Sequence, residues 1–154
     1  MSKTLLGAAA LVCFALTLAA ADVAEAQDAA ALLRQGVAAR RAGNDEAALD
    51  YFTRANAAQP SGVARAQMGL AAQALGRWVE ADEHLRAALA TSDGFVTRNR
   101  ATLEAALRTV EANVGRLELR GSVDGGRVEI NGRDVGVMPL PGPITVALGE
   151  TIIV

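Results

Sequence analysis

Residues 36–55 read GVAARRAGNDEAALDYFTRA and residues 69–88 read GLAAQALGRWVEADEHLRAA. At an offset of 33, Gly36, Gly43, Ala48, Phe52 and Ala55 return as Gly69, Gly76, Ala81, Leu85 and Ala88, and Ala38-Ala39 returns as Ala71-Ala72. A period of that length, with small residues in fixed places, marks stacked helix pairs that cannot bury their apolar faces singly. The small residues stand where two backbones must approach, and Phe52 and Leu85 are sized to fill the gaps. Outward from this core, helices are expected over 29–42, 45–58, 62–75, 77–91 and 95–113. Gly43 suits the left-handed end of the first, Asn44 caps the second with Asp45 and Glu46 in its first turn, and Pro60 stops it. The fifth carries Phe95, Leu103, Leu107 and Val110 near one face and is expected to cover the open apolar end of the second pair.

The spacing Gly36, Ala48, Phe52, Ala55, Pro60 resembles the tetratricopeptide repeat, and Trp78 falls where that family has an aromatic early in its second helix. One residue is missing between Pro60 and Gly69 relative to the usual repeat, and Asp93 stands where the second pair would have Pro. Both departures fall in turns. The resemblance implies a helical-hairpin array whose first helices line a concave face. Carried over position by position, that face is Leu33, Val37 and Arg40 from the first pair and Ala66, Leu70 and Gln73 from the second. Family variants that clamp a peptide's terminal carboxylate use Lys and Asn where this chain has Leu33 and Val37, so that ligand is not expected. An apolar strip with Arg40 and Gln73 at its rim suits a helix or an extended apolar peptide. Part of this strip is equally open to intramolecular packing, above all if the C-terminal segment docks there.

After Val114-Gly115 the pattern changes to alternation, at Leu117 and Leu119, Val128 and Ile130, Val135 and Val137, then Ile144, Val146 and Leu148. Asn131-Gly132 between the second and third runs is a hairpin signal, because both residues tolerate positive φ. The fold class expected is therefore α plus β in separate units, helical hairpins over 27–113 and a small antiparallel, sandwich-like β unit over 115–154. The Ser122 turn, the run from Val128 to Gly132, Gly136, Pro139-Leu140 and Gly149 fall in the register of the PEGA domain, which this segment resembles. Val123, Asp124 and Gly126 replace the Pro, Glu and Ala of its name motif, so the likeness rests on register. The run Thr151-Ile152-Ile153-Val154 has no closing turn, and the β unit is expected to be truncated there.

Residues 1–26 read as a signal peptide. Lys3 gives the positive start, 5–21 is an unbroken apolar run, and Ala24-Glu25-Ala26 sets cleavage before Gln27. Ala19-Ala20-Ala21 supplies a second cut site, and the run approaches the roughly 20 residues of an uncleaved anchor. Export to the periplasm or cell envelope is expected in either case. The single cysteine, Cys13, lies inside the apolar run, so the mature chain has no thiol for disulfides or nucleophilic chemistry. The whole chain has 15 basic and 17 acidic residues, and loss of Lys3, Asp22 and Glu25 leaves a charge close to −1, which gives no nucleic-acid surface.

Catalytic chemistry finds little to work with. His84 is the only histidine; Glu80 shares its helix face at i,i+4, with Asp82 and Glu83 near in sequence. With no second His or Cys there is no transition-metal set, and no metal or other cofactor is expected. Ser61, Ser92 and Ser122 sit in turn contexts that capping explains, with no His to spare for a triad. Gly125-Gly126 does not open a helix, so it is not a phosphate loop. The aromatics Tyr51 and Trp78 are both in helical segments, and no sugar-binding platform follows Phe95. The chain is therefore expected to be a non-enzymatic extracytoplasmic adaptor or scaffold that grips a protein or peptide partner, without a small-molecule substrate. The alternative is the accessory arm of a larger envelope enzyme or of a transport or secretion component whose active part lies beyond Val154.

Overall fold

A computed structural model describes residues 27–121, 125–149 and 152–154. The leader expected over 1–26 and the turn residues Ser122 to Asp124 lie outside them. Five helices come first: α1 (residues 27–41), α2 (Asp45–Ala58), α3 (Gly62–Ala74), α4 (Trp78–Leu89) and α5 (Gly94–Glu111). Four short strands follow: β1 (Val114–Leu117), β2 (Arg127–Ile130), β3 (Arg133–Val137) and β4 (Ile144–Ala147). The architecture is α plus β.

The two hairpins are built alike down to single hydrogen bonds. Gly43 and Gly76 take φ of 76° and 70°, the left-handed region that lets a helix close on itself. Beyond each, a backbone N–H folds back on the helix just ended. That of Asn44 donates to the Ala39 carbonyl at 2.9 Å and that of Arg77 to the Ala72 carbonyl at 2.9 Å, so an otherwise orphaned acceptor is satisfied. Starts are fixed by side chains: Asn44 Oδ1 accepts from Ala47 N–H at 3.0 Å, Ser61 Oγ from Ala64 N–H at 3.2 Å, and Asp93 Oδ1 from Phe95 N–H at 2.7 Å. Asp93, standing where the first pair has Pro60, is thus the N-cap of α5.

The repeat also fixes the packing. A Cβ added to Gly69 would lie 2.7 Å from Leu85 Cγ, and one added to Gly36 would clash with the Phe52 ring at Cε1, Cδ1 and Cζ. Glycine is required at both places by close approach, and Ala48, Ala55, Ala81 and Ala88 are buried beside them. Phe52 centres one apolar cluster with Ala48, Leu49, Met68 and Ala71. Leu85 centres a second with Ala66, Ala72, Ala81 and Ala88, completed by Val96, Leu103 and Val110 from α5. These three residues recur every seventh position on one stripe, so α5 seals the end of the array, but with Val96 in place of Phe95 on the buried stripe and with Phe95 and Leu107 only partly buried against the cluster.

The β unit begins earlier than the alternation indicates. β1 runs from Val114 to Leu117 and Leu119 lies past its end. It pairs antiparallel with β4, Val114 opposite Ala147 and Leu117 opposite Ile144. β2 and β3 form the hairpin read from Asn131-Gly132, whose φ angles are 52° and 78°. Residues 152–154 add to the other side of β2, with Glu129 and Val154 exchanging both backbone hydrogen bonds at 3.0 Å. β4 packs on α4 and β1 on α5, so the unit sits on the last hairpin and the sealing helix.

Candidate partner-binding surfaces

Two concave surfaces stand out, and the sequence pointed to one. The first is an open groove of about 790 Å³ along α1, lined by Leu33, Arg34, Val37, Ala38, Arg41 and Ala42. Leu33 and Val37 are half-buried, with their inner sides against the Phe52 cluster. Arg34, Ala38, Arg41 and Ala42 are exposed beside them, which gives an apolar floor between two guanidinium groups two turns apart.

The other expected strip residues do not join this groove. Ala66 is fully buried, enclosed with Val96 and Leu103, and cannot meet a partner. Its counterpart Leu33 differs because, among the described residues, no helix packs in front of α1, whereas α5 packs on α3. Leu70 is half-buried against the same second cluster. Arg40 Nε bonds to Asp45 Oδ1 at 3.3 Å, which ties it to the start of α2, and Gln73 is half-buried near the end of α3. The expected six-residue strip thus reduces to Leu33 and Val37, joined by Arg34, Ala38, Arg41 and Ala42, which the repeat alignment did not select.

The second surface is a cleft of about 680 Å³ between α4 and the β unit. Val79, Asp82 and Glu83 form one wall, Ile130, Asn131 and Arg133 to Val135 of the hairpin a second, and all four residues of β4 a third. The clue to it in the sequence is a break in the repeat: Asp82 stands 33 positions after Leu49. Leu49 is 5% exposed and Asp82 is 6% exposed, so a carboxylate replaces a buried methyl cluster at the same depth.

Burial of that charge needs a partner. Arg86 Nε donates to both Asp82 oxygens, at 2.9 and 3.0 Å, and Arg86 Nη2 donates to Glu111 Oε1 at 2.6 Å. The Asp82 hydrogen bond holds the Arg86 guanidinium pKa above its ordinary value against the desolvation that would lower it; Glu111 acts in the same direction. Arg86 and Glu111 tie α4 to α5 beside a smaller hollow that Thr145 and Arg116 also line. Asp82 therefore anchors the side of the array on which β4 rests.

Elsewhere, His84 Nε2 stands 3.8 Å from Glu80 Oε1, too far for a hydrogen bond. Among the described residues there is no cluster of three or more His, Cys, Asp or Glu that could hold a metal ion, and no helix long and apolar enough to cross a membrane. Comparisons of the chain with family models, with curated proteins and with solved structures found no match.

Proposed function

We propose that this protein is an exported, non-enzymatic adaptor or scaffold of the cell envelope, in which tetratricopeptide-type hairpins carry a protein or peptide partner and a PEGA-like, sandwich-like β unit is fixed to their end. The observation that carries the reading is the α1 groove, an apolar floor flanked by Arg34 and Arg41 on a scaffold stiffened by matched glycine contacts. An amphipathic segment buries apolar side chains there and sets carboxylates against the two Arg residues, so that burial supplies most of the affinity and charge supplies orientation. Export is supported by Lys3, the apolar run and Ala24-Glu25-Ala26.

The test uses Ala38→Asp with Arg41→Glu, both exposed in the groove and outside the two apolar clusters. The double variant should keep its helical circular dichroism and melting temperature while losing capture of the partner that the parent chain retains from envelope extracts. Undiminished capture by the folded variant would remove the groove as the binding site.

A further inference from the structure

The α4/β cleft is bordered by strand edges, and their hydrogen-bonding state says what fits it. In the β1–β4 ladder, Leu148 N–H donates to the Asn113 carbonyl at 2.9 Å. Antiparallel pairs alternate between bonded and non-bonded, so with the observed register Val146 is the next bonded residue and Ile144 the one after. Thr145 and Ala147 then turn their N–H and C=O groups away from β1, toward the free edge, and no described backbone group meets them. The opposite wall repeats the situation. Ile130 and Arg133 close the hairpin, while Glu129 bonds to Val154, so Asp134 directs its backbone groups away from β2.

Consecutive residues of both strands line the cleft, Ile144 to Ala147 on one side and Arg133 to Val135 on the other. A wall made by a sheet face would contribute alternate residues; a run of neighbours marks an edge. The cleft therefore lies between two strand edges with α4 as its floor.

We propose that this cleft is a strand-acceptor site, in which an extended peptide segment of a partner protein pairs with the free edge of β4 at Thr145 and Ala147. The mode is β-augmentation, where main-chain bonds give affinity and alternate side chains give selectivity. The chemistry of the walls defines the segment. Val79, Ile130 and Val135 accept apolar side chains at every second position. Among the charged lining groups, Asp82 is bound by Arg86 and Asp134 by Arg127 at 2.8 Å, which leaves Glu83, held only by a 3.9 Å contact to Arg133 with both side chains more than 60% exposed. The segment is therefore cationic where it passes Glu83. This site is distinct from the α1 groove and does not depend on it.

The experiment is an amide-resolved NMR titration of the full chain with acetyl-Arg-Ile-Thr-Val-Thr-Val-amide, with two control peptides N-methylated at either alternate set of positions. The expected result is movement of the Thr145 and Ala147 amide signals, with those of α1 unmoved. Removal of two hydrogen bonds in at least one control should weaken binding about tenfold or more. Ala147→Pro should weaken binding comparably while preserving the fold, because proline is tolerated at an edge position whose N–H is outside the ladder. Hydrogen exchange keeps the proposal testable if that variant fails to fold: in the free chain the Thr145 and Ala147 amides should exchange faster than that of Val146. Slow exchange at both positions without peptide, equal binding by both methylated controls, no shift at millimolar peptide, or a dimer that pairs β4 with β4 and excludes the peptide would each overturn the assignment.

Discussion

The helical array and the β unit are opposite solutions to burial in one chain. In the array, Phe52, Leu85, Leu103, Val96 and Val110 have less than 2% of their surface exposed, and each glycine contact of the first pair recurs in the second. Among the described residues of the β unit only Val128 and Ile130 are buried, while Val137, Leu148, Ile152, Ile153 and Val154 are between 46% and 80% exposed. Length explains part of the difference, since strands of four or five residues offer two or three inward positions each. Pairing explains the rest: two small sheets leave open edges, whereas helices satisfy their own backbone and need only a face to pack. A rigid array and a lightly packed, edge-rich unit are suited to different work, presentation of a surface and acceptance of a strand.

The largest effect expected from this contrast is in the array. Phe52→Ala and Leu85→Ala should each lower global stability by about 3–5 kcal/mol, since both empty a fully enclosed site. Val135→Ala and Ile144→Ala, at half-exposed β positions, should cost less than about 1 kcal/mol. Denaturant melts followed by helical circular dichroism distinguish the two groups, and equal losses would break the comparison. Overpacking gives the next effect. Ala48→Leu and its repeat counterpart Ala81→Leu should each cost on the order of 1–3 kcal/mol, and the two values should agree if the hairpins are equivalent.

The buried ion pair gives a smaller and opposite response. Asp82→Leu restores the residue type of the first repeat and should be neutral or mildly stabilising, because a buried pair is often exchanged for apolar packing without loss. Arg86→Met, which strands the Asp82 carboxylate, should destabilise by about 1–3 kcal/mol, a value reduced from that of a deeply buried pair because Arg86 is itself 45% exposed. The smallest effect belongs to Arg77 and Glu46, which link the starts of α4 and α2 at 2.7 Å across an exposed gap. Their removal should change stability by less than about 1 kcal/mol.

Where the fold depends on neighbours in sequence, the sequence was legible. Gly43 and Gly76, the Asn44 and Ser61 contexts, and Asn131-Gly132 specify their own φ angles or caps, and each stands where expected. The candidate sites depend on what packs in front of a residue, which no local pattern states. Ala66 occupies the same repeat position as Leu33, yet it is sealed by α5 from 30 or more positions away. Val96 is buried in place of Phe95 because it shares a stripe with Leu103 and Val110 that meets the Leu85 cluster, a choice that the larger size of Phe95 obscured. The α4/β cleft was hidden because it needs β4, β3 and α4 together, and only the Leu49 to Asp82 substitution in the repeat hinted at it.

The measurement that tests the contrast most directly is native-state hydrogen exchange resolved by residue across the whole chain. Amides around Ala48 to Ala55, Ala81 to Ala88 and Leu103 to Val110 should exchange only through one slow opening that carries the full stability of the array, and those of β1 to β4 through a separate and much easier opening. Exchange of strands and helices through a single common opening, or strands that outlast the helices, would contradict the account.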